Sequence, residues 1–388
     1  MSKIPFSRRR FFKVLGTGSI VVAGAPIAAA PASILRTQQE KPKTNVADAA
    51  KIARSEKSLP GRYPGRVVKI DNDNSVADNT IVPEEAYKML EKGMLQLTGE
   101  KRLKKAWRLF VSPGEKIGLK VNPVAGKQLS TSHAVTKAVI KQLEMSGIDR
   151  SDIVIFDRRE FQLKEVGYTA ENYPGIRIVG TEQQDEAGSY YGEDGILYGE
   201  KMIDKEWFYW ADVEGDYDEY TIPYMVNRGE YSYFSKIITS EVDKIINIPI
   251  LKNAGATVTN AMKNLAFGAV SNTGRLHAKL WHDTCAEVCA FAPVRDKVVL
   301  NITDGLKGCF NGGPGANPQF FTSYKTMLLG TDPVAMDRIA HEIVVAKRIE
   351  EGIQKQDNPG AARFLDMAAD LELGISDRSR IDLIEVEA

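Results

Sequence analysis

The chain has 388 residues, of which 43% are hydrophobic and 26% charged, and 51 Lys and Arg balance 51 Asp and Glu. This is the composition of an ordinary globular protein, and it excludes disorder over most of the length. The formal charge of zero argues against a dedicated nucleic-acid binder, and three cysteines exclude a disulfide-stapled scaffold.

Residues 1–32 are predicted to be a targeting segment. They contain five basic residues and no acidic one, and Ser7-Arg8-Arg9-Arg10-Phe11-Phe12-Lys13 resembles a twin-arginine export motif. The apolar stretch that follows is short and Gly-rich, unlike a typical spanning helix. We therefore expect a periplasmic or otherwise exported protein that meets the twin-arginine translocation machinery, and the membrane, only during export. A retained membrane anchor is the alternative.

Residues 33–64 are polar and charged, as in a tether with a loop, and residues 65–388 are predicted to be one α/β domain. Helical spacing of apolar residues occurs at 83–97 and 132–145. Short β-rich runs alternate with such segments, at residues 66–70, 116–121, 153–156, 176–179, 244–248, 297–302 and 327–329. This alternation predicts a mostly parallel, Rossmann-like sheet with helices on both faces.

Residues 181–235 interrupt the alternation. They hold many Tyr, Trp and Phe residues among Gly, Asp and Glu. We interpret them as a β-rich insertion over the sheet, and we favour a packing subdomain over a lid or a partner surface.

Polar residues follow five of the predicted strands. In an open α/β sheet, ligands bind at the carboxyl ends of the strands, so this agreement predicts a site there. The candidate acid–base or metal-binding carboxylates are Asp157, Asp304 and Asp337, and the candidate proton-transfer or ligand residues are His133 and His282. Each carboxylate could instead be an ordinary cap or turn residue, as Thr331 and Asp332 could be before Pro333.

A second set of residues indicates an anionic ligand. The candidate substrate-binding residues are Lys120, Asn122, Lys252, Lys263 and Asn264. Several lysines left unpaired in a cleft are costly, so a small anion is the expected partner. The loop holding Gly255 before Lys263 and Asn264 could also place an anion at a helix N-terminus. No phosphate-loop or G-x-G-x-x-G motif is present, which argues against nucleotide hydrolysis and a conventional dinucleotide site.

The cysteines leave three arrangements open. His282, Cys285, Cys289 and Cys309 could ligate zinc or an iron–sulfur cluster, or a disulfide could reach Cys309. The four-residue spacing of Cys285 and Cys289 beside small apolar residues also fits two thiols on one buried helix face, which we favour. A divalent metal therefore remains open, and a cluster is the weaker expectation. The glycine-rich stretch 312–315 could bring backbone amides to a ligand or form a plain turn.

A set of short motifs resembles one family. In chain order, they are Lys120-x-Asn122, Ile248-Pro249-Ile250-Leu251-Lys252, Ala261-Met262-Lys263-Asn264-Leu265, His282, Asp304-Gly305, Gly313-Pro314 and Thr331-Asp332-Pro333-Val334-Ala335-Met336-Asp337. Together they resemble the bacterial and archaeal family called domain of unknown function 362, over roughly residues 65–385. The resemblance implies this fold and this site, and no established reaction.

The chain departs from the family pattern at one position of interest. The family often has Lys-Thr-His where this chain has Lys252-Asn253-Ala254. This removes a candidate imidazole from the site. Some members carry a cysteine-rich, ferredoxin-like module, which the three cysteines here do not match, so the resemblance does not imply a cluster.

Three functional hypotheses follow. The first is an exported enzyme that acts on a small anionic substrate at the carboxyl ends of the strands, with or without a metal. The second is a metal or iron–sulfur redox protein centred on the cysteines. The third is a non-catalytic periplasmic binding protein, although no internal duplication of two lobes is visible. We favour the first.

Overall fold

The computed structural model describes residues 41–214, 230–254, 257–353 and 361–388. The predicted targeting segment, the first part of the tether and Gly255 lie outside these ranges, as do residues 215–229 of the aromatic segment. Residues Pro42–Ala388 form one compact unit. Within the described ranges, no helix is long and apolar enough to cross a membrane.

The strands in chain order are β1 (Arg66–Asp71), β2 (Val76–Ala77), β3 (Thr80–Ile81), β4 (Ile117–Lys120), β5 (Ile153–Arg159), β6 (Arg177–Glu182), β7 (Ile203–Trp210), β8 (Tyr231–Ser235), β9 (Lys244–Asn247), β10 (Ile250–Ala254), β11 (Thr257–Thr259), β12 (Val298–Cys309), β13 (Phe321–Thr322), β14 (Thr326–Gly330) and β15 (Asp382–Glu387). The α-helices are α1 (Pro83–Thr98), α2 (Leu103–Arg108), α3 (His133–Met145), α4 (Glu160–Glu165), α5 (Ala261–Ala269), α6 (Gly274–Lys279), α7 (Trp281–Ala290), α8 (Ala292–Arg295), α9 (Pro333–Glu350) and α10 (Arg363–Asp370).

The central sheet has the strand order β15-β1-β14-β12-β9-β4-β5-β6, with β10, β11 and β13 attached beside β12. Strands β12, β9, β4, β5 and β6 pair in parallel, as do β1 and β15. Strand β14 runs antiparallel to β1 and β12. The prediction of a mostly parallel α/β sheet is confirmed, and the parallel block brings the carboxyl ends of five neighbouring strands to one edge.

Both faces of the sheet are covered. Successive residues of a strand point to opposite faces, and β5 shows this directly. Val154 and Phe156 belong to one apolar core, whereas Ile153 and Ile155 belong to the other. The first core includes residues of α5, α7, α9 and α10, and the second includes residues of α1, α2 and α3. The near-continuous apolar runs of the parallel strands follow from this double burial.

The aromatic segment begins later than predicted. Residues up to Glu182 belong to β6 of the central sheet, and β7 pairs with β8 as a separate two-stranded antiparallel sheet. Tyr209 and Phe234 of these strands are fully buried in the first core, where the Tyr209 hydroxyl donates to Glu287 (2.8 Å). These contacts give the described part of the segment a packing role.

Candidate functional site

The carboxyl ends of β4 and β5 form one wall of a cavity of about 90 Å³, and α5 lies across it. We call it the lysine cavity. Its lining residues are Lys120, Asn122, Val124, Asp157, Arg158, Gln162, Lys252, Thr259, Lys263, Asn264, Phe267, Gly268, His277 and Pro314. Helical spacing puts Lys263, Asn264, Phe267 and Gly268 of α5 toward one face. The structure therefore brings together all five predicted substrate-binding residues and one predicted carboxylate, Asp157.

Lys120 and Asp157 form a buried ion pair at the base of the cavity. The Lys120 ammonium donates to Asp157, to Asn264 Oδ1 (3.1 Å) and to the Val121 carbonyl (2.9 Å). Burial lowers the pKa of Lys120, and the charge of Asp157 opposes this effect. With three acceptors around it, Lys120 is held in place by the protein itself.

Gly268 is required for this arrangement. A Cβ at this position would lie 2.6 Å from Lys120 Nζ and 3.3 Å from Asp157 Oδ1. Glycine normally weakens a helix interior by about 1 kcal/mol relative to alanine. Here it lets α5 approach the ion pair closely.

A chain of buried side-chain amides runs from the cavity into the sheet. Lys252 Nζ donates to Asn122 Oδ1 (3.0 Å), and Asn122 Nδ2 donates to Asn264 Oδ1 (2.9 Å). Asn264 Nδ2 then donates to Asn247 Oδ1 (2.8 Å), and Asn247 Nδ2 donates to Asn301 Oδ1 (2.9 Å). Satisfied buried networks of this kind hold side chains in a single geometry. We call these four asparagines the amide relay.

Lys252 and Lys263 lack a carboxylate partner among the described residues. Lys252 is fully buried within β10, and the amide relay is its hydrogen-bond acceptor in the described part of the chain. Lys263 has a long contact to Thr259 Oγ1 (3.5 Å) and lies over the ring of Trp281. Burial lowers the pKa of Lys252 to about 7, with the charge of Lys263 adding to the effect, and burial lowers the pKa of Lys263 to about 8.

Two ionisable residues of the cavity lining, Arg158 and His277, were not among the predicted site residues. Arg158 directly follows Asp157 in β5 and contacts Glu182 (3.5 Å) and the Thr273 hydroxyl. His277 packs against Phe267 with the two rings tilted by 40° and their centroids 4.1 Å apart, and its Nδ1 lies 2.9 Å from the Thr273 carbonyl. Burial, together with the charge of Lys263, lowers the pKa of His277. Position after a strand could have identified Arg158, whereas no local pattern marks His277.

The other two predicted carboxylates do not reach the cavity. Asp304 accepts hydrogen bonds from the backbone amides of Ser132 (2.7 Å) and Leu306 (3.2 Å). Asp337 accepts them from the amides of Ala261 (2.7 Å) and Met262 (3.0 Å), the first two residues of α5. Burial raises the pKa of Asp304, and it raises the pKa of Asp337 to about 7.

These contacts change two interpretations. Asp304 and Asp337 tie distant backbone segments together, and Asp332 caps its own helix α9 by accepting from Val334 (3.0 Å) and Ala335 (2.9 Å). The N-terminus of α5 is capped by Asp337, so it is not available to the anion that the sequence suggested for it. The Asp-Pro-Val-Ala-Met-Asp segment therefore acts as a pair of helix caps.

The two predicted histidines also lie apart from the cavity lining. His133 Nδ1 lies 2.6 Å from the Tyr173 hydroxyl, and its Nε2 lies 3.0 Å from the Val166 carbonyl. His282 packs against the rings of Trp281 and Phe364, and its buried Nδ1 has no hydrogen-bond partner among the described residues. Burial lowers the pKa of both histidines, that of His282 to about 4.

The three cysteines are free and buried. Cys285 and Cys289 lie on α7 in the first core, whereas Cys309 packs with Leu129 and Ile250 in a separate cluster. Burial raises the pKa of all three thiols. In the described parts of the chain, no three His, Cys, Asp or Glu side chains are grouped to hold a metal ion. The four-ligand set with His282, one of the alternatives that the sequence left open, is thus not assembled among these residues, and the thiols occupy the packing positions that we favoured.

The glycine-rich stretch joins the cavity through Pro314, which lines it. The Gly313 amide donates to Asn253 Oδ1 (3.2 Å), so this backbone N–H already has a partner in the protein. A Cβ on Gly313 would collide with the Asn253 backbone. The glycine thus allows a close backbone approach beside the cavity.

The family model described as "Domain of unknown function (DUF362)" matches residues 117–342, more than half of the chain. The chain belongs to this family. Every residue that lines the lysine cavity lies within the matched region of this DUF362 protein.

One similar solved structure is a crystal structure of a Thermotoga maritima protein determined by the Northeast Structural Genomics Consortium. The two share 11% identity with a TM-score of 0.34, over 68% of this chain and 58% of that chain. The DUF362 chain therefore spans less than two thirds of that protein's length. A comparison of the present DUF362 chain with curated protein sequences found no match.

Proposed function

We propose that this DUF362 protein is an enzyme that binds a small anionic substrate in the lysine cavity. The observation that supports it most strongly is the buried pair Lys252 and Lys263, which no carboxylate balances among the described residues. A buried ammonium without a counter-charge is costly, and a bound anion would offset that cost.

The charge of the cavity wall favours an anion as well. Four cations line it, namely Lys120, Arg158, Lys252 and Lys263. Asp157 pairs with Lys120 and Glu182 contacts Arg158, so the two remaining lysines carry the unbalanced charge. A single water needs roughly 10–15 Å³ of space for its centre, and the corresponding volume of the lysine cavity is about 90 Å³. The cavity therefore admits a ligand of only a few non-hydrogen atoms. Small carboxylates and oxyanions fit both criteria.

The same residues can support acid–base chemistry. A lysine whose pKa is about 7 exists in both protonation states near neutral pH, which is the property of an efficient proton-transfer group. Lys252 would move the proton, while Lys263 and Arg158 would hold the negative charge of the substrate. Lys120 and Asp157 would fix the base of the cavity. We assign each of these roles to the chain's own side chains and no step to a metal ion.

Export is a part of this proposal that rests on the amino-acid sequence. The basic, acid-free segment 1–32 with its arginine motif supports passage through the twin-arginine machinery to the periplasm or beyond. Fusion of residues 1–32 to a reporter that is active only after twin-arginine export would test it. Replacing Arg8 and Arg9 by lysine should then abolish reporter activity, and unchanged activity would contradict export by this route.

Anion binding can be measured by calorimetry with phosphate, sulfate, lactate and pyruvate. We expect at least one to bind, and the Lys263→Met variant to bind it about 10-fold or more weakly, because a charge-assisted hydrogen bond contributes about 1.5–3 kcal/mol. The matched control is Lys297→Met. Lys297 is a partly buried lysine outside the lysine cavity, and its amine donates to the carbonyls of Ile238, Thr239 and Val242.

Two results would contradict the proposal. If none of the four anions binds, or if the Lys263→Met and Lys297→Met variants both bind the anion as tightly as the native protein does, the cavity is not the anion site.

Turnover is measured by NMR as the exchange of carbon-bound protons of lactate or pyruvate with deuterated water. Tight binding without exchange would point to a non-catalytic binding protein.

A further inference from the structure

The amine of Lys252 differs from the other two lysines of the cavity in its hydrogen bonding. Lys120 is held by a carboxylate and two further acceptors, and Lys263 lies over an aromatic ring. Lys252 is fully buried, and among the described residues its one hydrogen-bond partner is a neutral amide oxygen. An amine in such surroundings favours the neutral, nucleophilic form.

The amide relay fixes which atom Lys252 meets. Asn301 Nδ2 donates to the carbonyls of Gly330 (3.5 Å) and Thr331 (3.3 Å), which can only accept. The Asn301 oxygen must therefore point back along the relay, and each following amide takes the same direction. At the other end, Asn122 presents its oxygen to Lys252, because its Nδ2 is engaged by Asn264.

This polarity leaves the lone pair of Lys252 unused. A neutral amine donates one N–H to the Asn122 oxygen and keeps its lone pair for another group. The lone pair belongs to a side chain in the cavity wall, where Lys263 and Arg158 provide positive charge for a carboxylate. A nucleophilic amine near cationic groups is the arrangement that captures a carbonyl carbon next to a negative charge.

We propose that Lys252 forms an imine with the carbonyl carbon of a small 2-oxo acid bound in the lysine cavity. This inference rests on the proposed anion site and names its substrate class. The Nζ lone pair forms the new C–N bond while one amine proton is transferred to the carbonyl oxygen, which gives a carbinolamine. Its hydroxyl group then leaves with the second amine proton as water and the C=N bond forms, so atoms balance and nothing is oxidised or reduced.

Borohydride trapping tests the proposal on the full mature chain. The protein is incubated at neutral pH with pyruvate, or with the smaller glyoxylate, and then reduced with sodium borohydride. Peptide mass spectrometry locates the resulting secondary amine. Half of Lys252 is neutral at a pH near its pKa of about 7, against roughly one in a thousand or fewer ordinary lysines. We expect the adduct on Lys252 to exceed that on any other lysine by about 10-fold or more.

Mapping on the native protein makes the test independent of variant folding. Lys252→Met should lose the adduct, and Lys297→Met should keep it at Lys252. Labelling spread evenly over surface lysines, or absent from Lys252, would overturn the imine. If pyruvate binds by calorimetry without an adduct, the anion site survives and the imine fails. If it neither binds nor labels, while phosphate or sulfate binds, only the substrate class is wrong.

Discussion

Two sets of buried polar side chains lie in the central sheet or in the helices packed on it, and they differ in their hydrogen-bond partners. Asp304 and Asp337, with Asp332 at the start of α9, accept hydrogen bonds from backbone amides of neighbouring segments. Lys252 and Lys263 line an open cavity, and they have one amide oxygen and one long hydroxyl contact as their hydrogen-bond partners among the described residues.

This difference separates structural from ligand-binding polar groups. A buried carboxylate that caps a helix is satisfied within the protein and has no need of a ligand. A buried lysine without a counter-charge is stable enough to persist only near its neutral form or with a bound anion. We therefore propose that the carboxylates stabilise the fold and that the lysines bind the ligand.

The largest expected effect is the loss of stability when one of the buried carboxylates is removed. Asp337→Ala leaves the amides of Ala261 and Met262 without their acceptor, at a cost of about 1–3 kcal/mol each. Chemical denaturation should show a free energy of unfolding lower by about 2–5 kcal/mol. Asp337→Asn, which keeps one acceptor, should lose less. A folded Asp337→Asn protein of native stability that no longer binds anions would place Asp337 in the site instead.

A smaller effect is expected at the ion pair beneath the cavity. In Gly268→Ala the new methyl group would displace Lys120 from Asp157, and overpacking of this kind typically costs about 1–3 kcal/mol. Anion affinity should fall with it. The matched control is Gly315→Ala, where a Cβ meets no heavy atom within 4 Å. Equal anion affinity in the two variants would show that Lys120 does not shape the cavity.

The pH dependence of anion binding tests the role proposed for Lys252 and Lys263. A bound anion favours the ammonium forms of Lys252 and Lys263, whose pKa values of about 7 and 8 lie below that of a free lysine. Affinity for sulfate should therefore be constant below these values and fall above them, by up to about 10-fold per pH unit for each amine. Imine trapping should rise as the pH passes through about 7, where Lys252 loses its proton while Lys263 still holds the carboxylate. Calorimetry and borohydride labelling at matched pH check the opposite slopes, and parallel slopes would contradict them.

The smallest effect is expected at His282. Its Nδ1 is buried without a hydrogen bond, and its ring packs beside Trp281 and Phe364. His282→Phe removes that unsatisfied nitrogen, so the free energy of unfolding should change by less than about 1 kcal/mol. Anion binding should be unchanged. A loss of binding in a stable His282→Phe protein would return this histidine to the list of functional residues.

The amino-acid sequence was sufficient to predict the fold class and the lysine and asparagine residues that line the cavity. Apolar strands alternating with helices predicted the parallel block, and polar residues after β4, together with the Lys-Asn pair of α5, predicted the cavity wall. The antiparallel direction of β14 and the separate strand holding Lys252 were not predictable, because they depend on pairing between distant segments.

The role of the carboxylates could not be predicted for a similar reason. An aspartate after a strand looks the same whether it faces a ligand or the amides of another element. Asp337 caps a helix that begins 76 positions earlier in the chain, and Asp304 reaches an amide 172 positions away. Only the tertiary structure decides which donor each of these carboxylates meets.

An NMR titration of protein with isotope-labelled lysine side chains tests the central claim most directly. The pKa values of Lys252 and Lys263 are measured with and without sulfate, using Lys252→Met and Lys263→Met to assign the signals. We predict two amines that titrate well below ordinary lysines, near 7 and 8, and that shift upward when the anion binds. Two amines that titrate like ordinary lysines and ignore the anion would contradict an anion site built from buried lysines.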